Sequence, residues 1–126
     1  MLEINNLTNF AVDKKSFSQV AKKVLMGENK ETENISLALI GKEEMQKLNK
    51  KYRKKDKATD VLSFELKEKE CFGEIVICPE VVKEKKEEII KVFVHGLLHL
   101  CGYDHERSEK DAKIMEAKEK KYLEKF

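Results

Sequence analysis

All three histidines of this 126-residue sequence lie within eleven residues, in the segment His95-Gly-Leu-Leu-His99-Leu-Cys-Gly-Tyr-Asp-His105. His95 and His99 are four positions apart, so on a helix their side chains project from one face about one turn apart. Two imidazoles in this arrangement can each reach one metal ion at about 2.0–2.1 Å. Gly102 predicts the end of the helix, because glycine readily adopts the left-handed conformation found after many helices. The chain can then turn so that His105 returns to the same ion.

Three neutral imidazole nitrogens with an open fourth position are the ligand set of catalytic zinc, at which water loses a proton near neutral pH. The alternative is that these histidines are hydrogen-bonded core residues. The segment Ile89–Leu100 is apolar on nearly every face, which predicts a central helix, and an imidazole buried there without a partner carries a desolvation cost. We therefore predict one divalent metal ion per chain, with zinc as the expected metal, bound by His95, His99 and His105.

The three cysteines do not complete a closed, four-ligand zinc site. Cys101 lies between the second and third histidines but, on an ideal helix, points away from His95. Cys71 and Cys78 have no recognisable ligand spacing, and we expect them to be small buried hydrophobic residues. Three cysteines cannot all pair, and no C-x-x-C motif is present, which favours a reduced, intracellular protein.

The histidine spacing also matches the metzincin pattern H-E-x-x-H-x-x-G-x-x-H at each histidine and at the glycine. It differs at the second position, where Gly96 replaces the glutamate that serves those proteases as general base. The sequence therefore keeps the metal-binding spacing but lacks the proton acceptor for peptide hydrolysis by that route. A metallopeptidase that uses another residue as its general base is therefore one hypothesis for the function of the protein.

A second feature is the basic stretch Lys50–Lys57, in which six of eight residues are basic and one is aromatic. It is either a phosphate-binding patch, in which Tyr52 can stack on a base, or a solvated helix end and loop. The chain has two arginines against 24 lysines, and Arg53 is one of them. Its planar guanidinium suits phosphate, so Arg53 is a candidate phosphate-binding residue. The candidate nucleic-acid-binding lysines are Lys51, Lys54 and Lys55.

The elements that must position these residues are short strands and amphipathic helices. Strands are predicted at Leu2–Leu7, Ile35–Ile40, Thr59–Phe64 and Glu74–Cys78. Helices are predicted from a Ser16 cap to Gly27, after Gly41, from Pro79 to the end with a break at Gly102, and at about Glu109 to Leu123. Strands and helices do not alternate regularly, so we predict an α+β fold, with helices packed on a small mixed sheet. The metal site would lie in a cleft formed by the histidine helix and the following turn.

Composition places limits on the class of protein. Apolar residues and charged residues each make up 40% of the chain, and the net charge is +2, so a folded core is expected rather than disorder. We expect one domain over residues 1–126. Nucleic-acid binding must come from a local patch, because the overall field is weak. The N-terminal segment has no signal-peptide pattern, and Ile89–Cys101 is too short to span a bilayer. We therefore predict a cytoplasmic protein that does not bind membranes.

Both features, and the residues that join them, resemble one family. The segment HGLLHLCGYDH resembles the signature H-G-x-L-H-L-x-G-Y-D-H of the YbeY family of metal-dependent endoribonucleases, the ribosomal RNA maturation factors of bacteria. Upstream, Leu48-Asn, Tyr52-Arg53 and Asp56–Phe64 resemble that family's L-N-x-x-Y-R-x-x-D-x-P-T-D-V-L-S-F, and Gly73–Ile77 resembles its G-D-I-x-I strand. The resemblance covers roughly residues 35 to 123.

The sequence departs from the family pattern in three places. Ala58 stands where the family usually has proline, and Glu74 replaces the usual aspartate. The connection from Pro79 to the histidine helix is several residues shorter than the family pattern predicts. None of these departures affects a predicted ligand.

The resemblance implies that His95, His99 and His105 hold zinc or a similar divalent ion, with Arg53 as the important basic residue near it. It implies an α+β fold with the metal in a cleft beside the strand Asp60–Phe64. The implied activity is single-strand-specific cleavage of RNA during late maturation of small-subunit ribosomal RNA and in ribosome quality control. Ribosomal RNA precursors and the ribosome, or its small subunit, are the implied partners.

Several points of mechanism stay open at the level of sequence. The ion is expected to polarise a phosphodiester oxygen, a nucleophile, or both, while Arg53 neutralises charge that develops on the phosphate. The nucleophile is either metal-bound water or the RNA 2′-OH. Asp104 and Glu106 are candidate bases, although Asp104 could equally orient a histidine. The rival hypothesis is a non-catalytic ribosome-assembly or RNA-binding factor with a structural metal.

Overall fold

The structure is a computed structural model and describes residues 2–68 and 71–124. Within these ranges the chain forms four strands and five helices. The strands are β1 (Leu2–Asn6), β2 (Ile35–Leu39), β3 (Val61–Glu68) and β4 (Cys71–Ile77). The helices are α1 (Lys14–Gly27), α2 (Lys42–Arg53), α3 (Pro79–Glu84), α4 (Ile89–Leu100) and α5 (Glu109–Leu123). The fold is α+β, as the sequence predicts.

The four strands form one mixed sheet in the order β1-β2-β4-β3. The pairs β1–β2 and β2–β4 are parallel, whereas β3 runs antiparallel to β4. Because successive side chains of a strand point to opposite faces, β4 contributes to two hydrophobic clusters: Ile75 and Ile77 belong to one, and Val76 belongs to the other. The sheet is therefore covered by apolar residues on both faces.

The larger cluster packs α1, α4 and α5 against one face of the sheet. Its centre includes an edge-to-face contact between Phe17 of α1 and Phe93 of α4, with ring centroids 5.2 Å apart. The smaller cluster on the other face contains Met45 of α2 and Val81 of α3. Most residues of α4 are buried, which confirms the predicted central position of the histidine helix.

Gly96 lets α4 approach β3 closely. A Cβ atom at this position would lie 2.9 Å from the Ser63 Oγ atom and 3.3 Å from methyl carbons of Val61 and Ile75. The Ser63 hydroxyl also donates a hydrogen bond of 3.1 Å to the Gly96 carbonyl oxygen. The residue that replaces the metzincin glutamate thus packs tightly against the sheet.

Several predicted boundaries are wrong in detail. Helix α1 begins at Lys14, because Asp13 rather than Ser16 is its N-cap: the Asp13 carboxylate accepts the Ser16 backbone N–H at 3.2 Å. The segment after Pro79 has an additional break before α4, where Lys86 adopts a left-handed conformation with φ 57°, and no glycine marks that turn. Both β3 and β4 extend further than predicted, since their antiparallel pairing continues to Glu68 and Cys71.

Among residues 2–68 and 71–124, no helix is both long and apolar enough to cross a membrane.

Candidate metal centre and surrounding cleft

Helix α4 places two imidazoles side by side on one face. The Nε2 atoms of His95 and His99 lie 3.1 Å apart. Two nitrogens bound to one tetrahedral zinc at about 2.05 Å would be separated by about 3.3 Å. The helix alone therefore sets these two nitrogens at nearly the separation that a shared metal ion requires.

The turn after α4 brings in the third histidine. Gly102 has φ 103°, in the left-handed region, and its N–H donates to the His99 carbonyl oxygen at 3.0 Å, while the Tyr103 N–H donates to Leu98 at 3.1 Å. This pair of bonds is the Schellman ending that glycine favours, so the prediction for Gly102 is confirmed. The turn sets the His105 ring centroid 5.0 Å from that of His95.

The three imidazoles form a group that could hold a metal ion. One potential ligand atom from each of His95, His99 and His105 lies within 4.8 Å of the others. Among the described side chains, no fourth histidine, cysteine, aspartate or glutamate joins this group. The arrangement thus fits a three-nitrogen site with a position left for substrate or water.

Glu119 orients the first of these ligands, and sequence reasoning missed it. Its carboxylate accepts a hydrogen bond from His95 Nδ1 at 2.7 Å. A proton on Nδ1 leaves the lone pair of Nε2 directed towards the candidate metal position. Glu119 lies on α5, 24 residues from His95, in a helix rich in lysine and glutamate where no local pattern distinguishes it.

Burial favours the neutral, metal-binding form of His99. Desolvation lowers its pKa, and the neighbouring His95 and His105 lower it further, against a raising effect of its hydrogen bond with the Tyr103 backbone. A neutral imidazole has a free lone pair for a cation. His99 is therefore better suited to a metal ion than to an added proton.

The acids next to the third histidine have other contacts. Asp104 accepts the Glu106 backbone N–H at 2.9 Å and lies 3.9 Å from Arg107. Glu106 is exposed, with its carboxylate 4.0 Å from His105 Nε2. Asp104 thus stabilises the turn itself, and Glu119 takes the role of orienting a histidine.

The turn is also held from α1 and α5 through Glu28. The Glu28 carboxylate accepts hydrogen bonds from the Tyr103 hydroxyl at 2.6 Å, from Lys118 at 3.3 Å and from the Tyr122 hydroxyl. Burial raises the pKa of Glu28, but these three hydrogen bonds outweigh burial and leave the pKa below its ordinary value. A Cβ atom at Gly27 would overlap the Tyr122 ring, so this glycine is required for close packing as well as marking the end of α1.

The cysteines stand apart from the histidine group. Cys78 is fully buried, as predicted, and Cys101 is half-buried. Burial raises the pKa of the Cys101 thiol to about 11, which disfavours the thiolate that a metal requires. The side chain of Cys71 lies outside the described part of the structure.

The histidines line a cavity of about 1210 Å³ that also contains the predicted basic residue. The end of α2 contributes Tyr52 and Arg53, and β3 contributes residues from Val61 to Phe64. Within residues 2–68 and 71–124, no carboxylate forms an ion pair with the exposed Arg53 side chain. The structure therefore brings a free guanidinium and the three imidazoles to one cleft, beside the strand that the resemblance implies.

The three candidate RNA-binding lysines lie outside the walls of this cavity. Lys51, Lys54 and Lys55 are all exposed. Lys54 ends α2 in a left-handed conformation with φ 59°, and the Lys51 ammonium lies 5.3 Å from the centre of the Tyr52 ring. These lysines therefore surround the end of α2 that carries Arg53.

The family profile and the relatives that match this chain carry the same description. A family profile described as Endoribonuclease YbeY matches residues 3–126. Endoribonuclease YbeY of Thermotoga maritima is 40% identical over 99 residues, which cover 72% of this chain and 66% of the relative. Endoribonuclease YbeY of Aliarcobacter butzleri is 36% identical over 138 aligned positions, which cover 100% of this chain and 92% of the relative.

A solved structure has the same fold. The solution structure of TM1509 from Thermotoga maritima matches with a TM-score of 0.67 and 32% identity, over 97% of this chain and 86% of that chain. The chain thus aligns with slightly less than two thirds of the Thermotoga relative in sequence, and with most of the Aliarcobacter relative. With a family match that extends over residues 3–126, the chain belongs to the YbeY family of endoribonucleases.

Proposed function

We propose that this protein is a metal-dependent endoribonuclease that cleaves single-stranded RNA, with one zinc ion bound by His95, His99 and His105. The observation that carries the proposal is the convergence of three imidazoles in a cleft whose wall also holds the unpaired Arg53. The family supplies the substrate class, because its members are named as endoribonucleases.

The donor set supports a divalent transition metal. Three imidazole nitrogens suit zinc and related ions, whereas magnesium and calcium prefer oxygen ligands. When bound, such an ion would act as a Lewis acid towards a phosphodiester oxygen. His95 is held for this purpose by Glu119, and His99 is kept neutral by burial.

Arg53 supplies the second part of the chemistry. Its planar guanidinium can donate two parallel hydrogen bonds to phosphate oxygens and stabilise the charge that develops on them. The cavity of about 1210 Å³ is larger than the roughly 300–1,000 Å³ of ordinary small-molecule sites, which favours a polymer segment as substrate. Lys51, Lys54 and Lys55 would attract the flanking phosphates.

In the cell, the proposed substrate is a small-subunit ribosomal RNA precursor at a late stage of maturation, together with RNA of defective ribosomes. The proposed partners are the ribosome or its small subunit, in the cytoplasm. The resemblance of the histidine and Arg53 motifs to the family supports this assignment.

The test compares the wild type, Arg53→Lys and His99→Ala, each incubated with zinc, at saturating single-stranded RNA. Arg53→Lys keeps the positive charge but loses the two parallel N–H donors of the guanidinium. Turnover should therefore fall while zinc content stays at the wild-type level. His99→Ala should lose stoichiometric zinc and cleavage together, which also excludes a contaminating nuclease. Equal cleavage by the wild type and His99→Ala would overturn the proposal. An inactive wild type that unfolds on zinc removal would instead indicate an assembly factor with a structural metal.

A further inference from the structure

Tyr52 is a large aromatic side chain exposed in the wall of the cleft. It lies in the last turn of α2, directly before Arg53, and 56% of its surface is exposed. The other exposed large hydrophobic residues of the described chain, Leu7, Phe10, Met26 and Ile114, do not line this cavity. Exposed apolar surface inside a functional cleft is a feature that folding alone does not require.

The ring is positioned by apolar contact rather than by its hydroxyl. Phe64 of β3, which also lines the cavity, packs against Tyr52 edge to face with ring centroids 5.1 Å apart. Within residues 2–68 and 71–124, the Tyr52 hydroxyl forms no hydrogen bond. By contrast, the hydroxyls of Tyr103 and Tyr122 both donate to Glu28. Tyr52 therefore presents a fixed ring with a large accessible surface.

We propose that Tyr52 is a base-stacking residue: it stacks on an unpaired base of the RNA while the adjacent Arg53 contacts the phosphate next to that base. This inference rests on the proposed function, and it adds a physical reason why single-stranded RNA would be preferred to base-paired RNA. Base–aromatic stacking tolerates any base but needs a free base face. In a duplex those faces are covered by neighbouring base pairs, so Tyr52 would discriminate against paired RNA.

The charged neighbourhood fits a nucleotide rather than an apolar ligand. Arg53 follows Tyr52 in the chain, and the Lys51 ammonium lies 5.3 Å from its ring centroid. A base and its phosphates would thus meet an aromatic ring with one cation near its face and a second, Arg53, in the same cavity wall. An apolar peptide or lipid chain would leave both cations without a partner.

The test uses two variants and an RNA with one abasic nucleotide. Tyr52→Leu should raise KM for single-stranded RNA by about tenfold or more, with unchanged zinc content, while Tyr52→Phe should behave as wild type. When the abasic nucleotide is moved along the RNA, one position should raise the KM of the wild type by the same factor. At that position Tyr52→Leu should show no further loss, because the two changes remove one contact. Additive losses, or an unchanged KM for Tyr52→Leu, would overturn the inference.

A binding measurement separates this inference from the proposed function. A series of single-stranded RNAs carries 2-aminopurine, whose fluorescence falls on stacking, at one position after another, and the fall is recorded on mixing, before any cleavage. If cleavage is absent but the wild type quenches this fluorescence and Tyr52→Leu does not, stacking stands and the nuclease proposal fails. If the wild type cleaves RNA and quenching is equal in both proteins, the nuclease proposal stands and the stacking inference fails. Phe10→Leu serves as the matched control, because Phe10 is an exposed aromatic residue outside the cavity and its replacement should leave the quenching at the wild-type level.

Discussion

Glu119 and His95 together determine which nitrogen faces the metal position. The imidazole could carry its proton on either nitrogen, and the carboxylate 2.7 Å from Nδ1 fixes it there. The Glu119 side chain is 15% exposed, so this hydrogen bond is largely shielded from water. Orientation of this kind raises metal affinity without adding a ligand.

We expect Glu119→Ala to weaken zinc binding by about 10- to 100-fold, because His95 loses the partner that fixes its tautomer. Glu119→Gln should weaken zinc binding less, since its amide oxygen still accepts a hydrogen bond from His95 Nδ1. Competition with a chromophoric chelator measures both affinities. Glu116→Ala, on an exposed position of the same helix, is the matched control, and equal zinc affinity in the two alanine variants would contradict the prediction.

At the scale of elements, the turn that carries His105 is held by helices distant in sequence. Glu28, directly after α1, binds Tyr103 of the turn and both Lys118 and Tyr122 of α5. Hydrogen bonds to a buried charged group contribute about 1.5–3 kcal/mol each when intact. The carboxylate therefore couples three elements whose packing sets the position of His105.

This coupling predicts a pH-dependent stability. The pKa of Glu28 is lower in the folded state than its ordinary value of 4.5, so its contribution is complete above that pH and is lost as the pH falls through the folded value. Glu28→Gln should lower the free energy of unfolding by about 2 kcal/mol at pH 7 and by less at pH 3. Urea denaturation at both pH values measures the difference. The exposed Glu31→Gln should show no such change, and a Glu28→Gln penalty that is larger at pH 3 would refute the assignment.

At the scale of the whole molecule, attraction for RNA has to be local. The net charge is only +2, so the overall field contributes little to the approach of a polyanion. The exposed lysines around the end of α2 form the positive surface nearest to Arg53 in sequence. The proposed function thereby divides binding and chemistry between lysines outside the cavity and residues inside it.

Replacing Lys54 and Lys55 by alanine should weaken RNA binding and reduce the slope of log affinity against log salt by about one to two. Turnover at saturating RNA should remain near the wild-type level, because neither side chain lines the cavity. Fluorescence anisotropy over a range of salt concentrations gives the slope. The paired control removes two other exposed lysines, Lys14 and Lys15, and an equal change of slope there would show that the basic stretch has no special role.

Features that depend on residues close together in the sequence could be predicted, whereas contacts between residues distant in the sequence could not. The histidine pair and the Gly102 turn were predictable, because i, i+4 spacing and a helix-ending glycine are local signals. The choice of Asp13 over Ser16 as N-cap was not, because both residue types are good caps. Glu119 and Glu28 were also missed, since their partners lie 24 and 75 residues away. The strand order likewise depends on packing between segments rather than on any one of them.

The contact between α4 and β3 at Gly96 has a consequence for how enzymes with this histidine spacing can diverge. Introducing the metzincin glutamate would require a side chain where a Cβ atom already lies 2.9 Å from Ser63 Oγ and 3.3 Å from two methyl carbons. The Ser63 hydroxyl would have to rotate away and give up its hydrogen bond to the Gly96 carbonyl oxygen, and the two methyl groups would have to shift by a few tenths of an ångström. A single mutation would thus introduce the base while removing a contact that holds α4, the helix of His95 and His99, against β3. In evolutionary terms, the step from this scaffold to that class of peptidase carries a packing penalty beside the candidate metal site.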